Sequence, residues 1–296
     1  MTNAVLIVLT FIVNFILNYY FWVIMIMLSF IFGYQPAPGT EDEIVLKLTL
    51  ASILIPGLIS QSGLMTGMFV YNEGGRSPSP EDGRYLQECL DDICLRAQLD
   101  PKEYHLYIGA VNEYNAFALG KTITVFFPIL RDLPREEVIG IMAHEVGHIQ
   151  NGHTRTGLLC VGMSWFNTII KLVFNGIALI CRLLFWIPFL GFVLNVFSLF
   201  IITIYNIMDM LLYIPTFLIN RFGSRQQEYQ ADAYAAKLGY GPALASGLAK
   251  IEAYYGNRKM SIFQRITCDH PGTDARIKAI RKIVEKQQQE SGFWDD

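Results

Sequence analysis

HEVGH, at His144 to His148, sets two imidazoles four residues apart in a 296-residue chain. Each residue turns an α-helix by about 100°, so the two rings emerge about 40° apart on one face. Both can then bind a single Zn²⁺, with Glu145 on the neighbouring face beside the attacking water. A bare HExxH arises by chance in many chains, so the surrounding sequence has to support it. Upstream, Leu133-Pro134-Arg135-Glu136-Glu137 opens a helix. Proline suits a first turn, and the glutamates oppose the positive end of the helix dipole. That helix carries the motif and should end near Asn151-Gly152.

A catalytic zinc takes three protein ligands and keeps a fourth position open for water. His153 lies nine residues after His144. At about 100° per residue it stands about 180° round the helix, pointing away from the metal if the helix persists. The extended pattern HExxHxxGxxH also fails, because Asn151 and Thr154 stand where glycine and histidine are required. EYQAD, at Glu228 to Asp232, serves better. Its two carboxylates share a helical face. One can bind zinc while the second orients a ligating histidine through its other ring nitrogen. Alone, ExxxD is a solvated helix face. Alongside HEVGH, in a chain with few other acidic clusters, Glu228 becomes the preferred third ligand, with Asp232 behind it.

Most of the sequence between these motifs is apolar. Hydrophobic residues make up 52% of the chain and charged ones only 17%, a balance that points to bilayer contact. Ala4 to Phe32 carries no charged side chain. It exceeds the roughly 20 residues a span needs and lacks the basic start and cleavage site of a secretory signal. Leu48 to Tyr71 is a second candidate, interrupted by Pro56-Gly57 in a way membrane helices tolerate. Leu158 to Ile219 holds only Lys171, Arg182 and Asp209 as charges. It suffices for two spans joined near Arg182 to Pro188, with Trp186 at an interface.

Four transmembrane helices are therefore expected. The division is 1–71 as an N-terminal hairpin, 72–157 as a soluble block with the HEVGH helix, 158–219 as a second hairpin, and 220–296 as a second soluble block with the third ligand. Arg76, Arg84, Arg221 and Arg225 favour the soluble blocks over the hairpin loops, which places both blocks and both termini in the cytoplasm. Lys171 and Asp209 read as snorkelling side chains or as marks of a displaced span boundary. Their depths do not match well enough for an ion pair. A channel or transporter would be the functional alternative for them.

A net charge of −3 and the lack of a basic patch interleaved with aromatics argue against nucleic acid as a partner. The five cysteines include no CxxC pair and imply no disulfide framework. Cys89 and Cys94 read as small buried apolar side chains. Asp82 to Gln98 has helical periodicity, HLYIG at His105 to Gly109 alternates like a strand, and TITVFF at Thr122 to Phe127 is strongly β-prone. The strand around Asn115 to Leu119 offers an edge for an extended peptide, a plain interior hairpin being the alternative. Further helices are expected over Glu228 to Lys237, stopped by Gly239, and over Pro242 to Tyr254 and Asp274 to Val284.

HEVGH, EYQAD, NAFALG and the tail HPGTDARI, in this order, resemble the HtpX-like branch of the membrane zinc peptidases, relatives of the endopeptidases that process prenylated CAAX proteins. The similarity covers most of Asn115 to Ile277. The resemblance implies a gluzincin-type site with His144, His148 and Glu228 on one Zn²⁺ per chain, and Glu145 as general base. It implies a mostly α fold: four transmembrane helices plus a cytoplasmic α+β zincin-like metalloprotease domain with a small β-sheet, split by the second hairpin. It implies endoproteolysis of misfolded or damaged membrane proteins in quality control, with the active site facing the cytoplasm, while missing eukaryotic signals lean towards a bacterial inner membrane over an endomembrane facing the same cytosol. The partners are then the lipid bilayer and polypeptide substrates.

The family position of NAFALG puts Asn115, Ala116, Phe117 and Ala118 beside the cleft. His270 and Arg276 match positions suggested to steady the tetrahedral oxyanion, with a turn histidine and a structural ion pair as the plain alternatives. Two competing readings are CAAX-type processing and a non-catalytic membrane adaptor retaining a structural zinc site. Intact Glu145 and an open coordination position argue against the adaptor.

Overall fold

The computed structural model describes residues 2–34, 36–187, 189–255 and 272–292. It is mostly helical with one small mixed sheet. In chain order the main elements are α1 (Thr2–Ile31), α2 (Glu41–Ile59), α3 (Gly63–Asn72), β1 (Gly75–Arg76), α4 (Pro80–Ala97), β2 (His105–Gly109), β3 (Ala116–Leu119), β4 (Thr122–Phe126) and α5 (Phe127–Asp132). There follow α6 (Arg135–Gln150), α7 (His153–Met163), α8 (Trp165–Leu183), α9 (Leu190–Ala235), α10 (Gly241–Tyr255) and α11 (Thr273–Gly292). The chain folds as two compact units, Met1–Gln61 with Gly157–Asn220, and Ser62–Thr156 with Arg221–Asp296.

Among the described residues, three helices are long and apolar enough to cross a membrane: Asn3–Ile31, His153–Leu183 and Leu190–Ile207. The bent pair α2 and α3 makes a fourth if it is one span. Pro56 lies inside α2, and the interruption falls later, at Ser60 to Ser62, where the Ser62 side chain accepts from Met65 N at 3.4 Å. Leu172 is 73% and Phe200 63% exposed, surfaces suited to lipid rather than water.

The faces these helices bury mix apolar side chains such as Leu17, Val45 and Ile53 with polar ones. Asn18 Nδ2 donates to Ser52 Oγ at 3.1 Å, Asn14 Nδ2 to Ser164 Oγ at 3.2 Å, and Asn167 Nδ2 to Asn14 Oδ1 at 2.6 Å. Such bonds join helices where burial of apolar surface offers no driving force. A Cβ at Gly162 would stand 2.6 Å from the Pro56 carbonyl oxygen, so α7 reaches α2 only through glycine.

Lys171 and Asp209 correct an expectation, because they form an ion pair between α8 and α9. The mismatch inferred from counting along a linear apolar run ignores where each helix starts. Tyr205, one turn from Asp209, donates to the Asn167 carbonyl at 3.3 Å, which sets that register.

The second unit is built around α6. Twelve of its sixteen residues are buried, including His144 and its neighbours Ala143 and Glu145. A helix apolar on nearly every side belongs in a core. The sheet runs β1-β2-β4-β3, with β2 and β4 parallel and the outer pairings antiparallel. All five β4 residues are buried, and β3 is an edge strand. Ile123 and Val125 of β4 pack with Leu86, Leu90 and Ile93 of α4 and Val138 and Met142 of α6, and Leu244 of α10 and Ile280 of α11 join the same core. Cys89 and Cys94 lie in it as free thiols, and burial pushes each up to about 11.

Candidate metal centre

Two breaks in regular structure assemble the site. The first follows α6, where Gly152 takes φ +73 and α7 begins at His153. The second follows Ala235, where Gly239 at φ +89 ends the long α9 and lets α10 fold back. The helix that carries EYQAD is continuous with the preceding apolar run, α9 extending from Leu190 to Ala235. Inside HEVGH, a Cβ on Gly147 would lie 3.0 Å from the Ala231 Cα and oxygen and 3.1 Å from the Tyr234 Cβ. Glycine there brings α9 close against α6, and thereby Glu228 to the histidines.

His144 Nε2 lies 3.2 Å from His148 Nε2, and the Glu228 carboxylate oxygens lie 3.5 Å from His144 Nε2 and 3.4 Å from His148 Nε2. Among the described residues, these three form the group able to hold a metal ion. A tetrahedral zinc with bonds of about 2.0–2.1 Å separates its ligands by about 3.3–3.4 Å. The two imidazole nitrogens stand at the spacing of two such corners, and the Glu228 carboxylate turns a different oxygen to each, Oε2 to His144 and Oε1 to His148, with one donor atom from each residue within 4.8 Å of the others.

The second ring nitrogen of each histidine is also engaged. His144 Nδ1 meets Asp232 Oδ1 at 2.9 Å. His148 Nδ1 meets His153 Nδ1 at 3.0 Å. Charge fits too: Glu145, Glu228, Asp232 and Arg276 are all buried. A divalent cation plus the guanidinium would balance the three carboxylates.

Arg276 spends all three guanidinium nitrogens on these carboxylates. Nε donates to Asp232 Oδ2 at 2.8 Å, NH2 to Asp232 Oδ1 at 2.7 Å, and NH1 pairs with Glu228 Oε2 at 2.9 Å. Burial alone would lower its pKa. Hydrogen bonding to Asp232 and the charges of Glu228, Asp232 and Glu145 outweigh that and raise it. Burial likewise works against a charged His144, yet its hydrogen bonds with Asp232 and Glu228 prevail and lift the metal-free imidazole to about 9. His153, in contrast, is pushed down to about 4, chiefly by burial.

The His144 shift carries a pH dependence. Metal binding needs the neutral ring, so below about pH 9 an incoming metal ion must displace a proton. Zinc affinity, measured by competition with a chromophoric chelator, should rise about tenfold per pH unit from pH 7 to 8. It should level off near pH 9, above the His144 value. A flat profile over that range would contradict the assigned proton.

The structure thus brings together His144, His148, Glu228, Asp232 and Arg276, with Glu145 on the same helix as the histidines. Asn115 to Ala118 lead into and form β3, which packs against α6. His270 lies outside the described residues. Sequence reasoning set His153 aside, yet the αL turn at Gly152 returns it to the back of His148; the glycine was the available signal. Gln230, which meets His153 Nε2 at 2.9 Å, had none.

A family model described as Peptidase family M48 matches residues 80–284, and the chain belongs to that family. Within it the chain is an HtpX-like membrane metalloprotease. It is 27% identical over 239 residues to a protease HtpX homolog of Methylacidiphilum infernorum, covering 71% of this chain and 75% of that one. It is 26% identical over 277 residues to the protease HtpX of Pectobacterium carotovorum, covering 80% and 92%. Its fold is similar to the crystal structure of S. mikatae Ste24p, with TM-score 0.52 and 18% identity over 82% of this chain and 58% of that chain.

Proposed function

We propose that the chain is an integral-membrane zinc endopeptidase that cleaves misfolded or damaged membrane proteins, anchored by four spans in a bacterial inner membrane with its site facing the cytoplasm. The observation that carries the reading is the cluster of His144 Nε2, His148 Nε2 and the Glu228 carboxylate, which has one oxygen 3.5 Å from His144 and the other 3.4 Å from His148. These three residues would hold one zinc ion. When bound, zinc supplies a Lewis acid for the scissile carbonyl and for water, whose pKa it lowers towards about 7. Glu145 takes the proton of the attacking water and returns it to the leaving amine.

Asp232 accepts from His144 Nδ1–H, which leaves Nε2 as the donor atom. Arg276 holds Asp232 and Glu228 in place. Those bonds use three of its five N–H groups, which leaves a further N–H on NH1 able to steady the oxyanion. The outer edge of β3, unpaired among the described residues and with Asn115 at its start, takes up an extended peptide backbone, and alternate side chains select the sequence.

Full-length protein in liposomes should degrade a destabilised membrane protein without a nucleotide. A chelator should stop cleavage, and one equivalent of zinc should restore it. Cleavage that persists in the metal-stripped protein would overturn the reading.

A further inference from the structure

We propose that His153 is a positioning residue for the metal centre, setting the tautomer and ring orientation of His148 through a hydrogen-bonded relay that ends at Gln230. The inference rests on His148 being a metal ligand, as above.

The direction of the relay follows from its far end. Gln230 Oε1 is an acceptor only, and it lies 2.9 Å from His153 Nε2. His153 Nε2 therefore carries the hydrogen, and His153 Nδ1 keeps a lone pair. That lone pair faces His148 Nδ1 at 3.0 Å, so His148 carries its hydrogen on Nδ1. The lone pair on His148 Nε2 is then turned towards His144 Nε2 at 3.2 Å and Glu228 at 3.4 Å, where the metal belongs. Reversing the tautomer of either His148 or His153 would set two N–H groups or two lone pairs against each other.

His153 is fixed for this task. It is 7% exposed and opens α7 directly after the left-handed Gly152. Its neighbour Thr154 donates through Oγ1 to the Gly120 carbonyl at 2.9 Å, which ties this turn to the β3–β4 hairpin. Gln230 is one residue from Tyr229 and two from Glu228, so the helix that delivers the third ligand also sets the tautomer of the second. The two histidines are thus held by different chemistry. His144 leans on the Asp232 carboxylate, and His148 on a neutral ring.

The test compares zinc affinity, by chelator competition on the purified full-length protein, for His153→Leu, His153→Asn and wild type. Leucine fills the space without an acceptor. Asparagine places an oxygen near the lost Nδ1. His153→Leu should weaken zinc binding by about 10–100-fold, as removal of an outer hydrogen-bond partner typically does. His153→Asn should stay within about threefold of wild type. Equal affinities for the leucine and asparagine variants would overturn the relay while leaving the zinc site standing. Wild-type protein that takes up no zinc, or His148→Ala that binds it undiminished, would overturn the metal reading itself.

Discussion

Glu145→Gln is expected to lower peptide cleavage by about 10²–10⁴-fold, the range over which a positioned general base contributes. The substitution keeps the shape of a side chain that is only 7% exposed within α6, so the helix and its histidines stay in place. None of the three donor residues in the cluster is touched, and zinc should remain at one per chain. The loss should fall on kcat, with KM little changed, because an amide fills the same volume beside the substrate but cannot accept the proton of water. Metal analysis and kinetics on the same preparation check this. A variant cleaving within a few-fold of wild type would remove Glu145 as the base. One that loses zinc along with activity would give the residue a structural role instead.

What the sequence made legible was whatever depends on local spacing. HEVGH on a helix, the strands at His105 to Gly109 and Thr122 to Phe126, and the helix ending before Gly239 all follow from periodicity and punctuation. EYQAD could be matched to HEVGH because both motifs need the same periodicity of four. What escaped depends on where a turn sends the chain. The angular argument against His153 assumes one continuous helix, and a single left-handed glycine invalidates it. The Lys171–Asp209 pair escaped for a related reason, since the relative depth of two helices depends on the break between Leu183 and Leu190. The commitment of Arg276 to Asp232 and Glu228 joins α11 to α9, a contact that no local pattern encodes.

Glu228→Ala should weaken zinc binding more than any change behind the ligands, and the reason is electrostatic as much as geometric. With zinc bound, the ion and Arg276 contribute three positive charges against the buried carboxylates of Glu145, Glu228 and Asp232. Truncating Glu228 deletes one of the three donor residues and leaves an excess positive charge among buried groups, where an unpaired charge is costly. It also strips Arg276 NH1 of its partner at 2.9 Å. Zinc affinity should therefore fall by more than about 100-fold, or about 2.8 kcal/mol, beyond the effect expected for an outer partner such as His153. Glu228→Gln should lose less, because its amide oxygen still reaches the site, though without the charge. Activity should track metal content in both variants, whereas in Glu145→Gln the two separate. An alanine variant that holds one zinc with wild-type affinity would mean that the third ligand comes from elsewhere in the chain, and the two-helix site would have to be rebuilt around it.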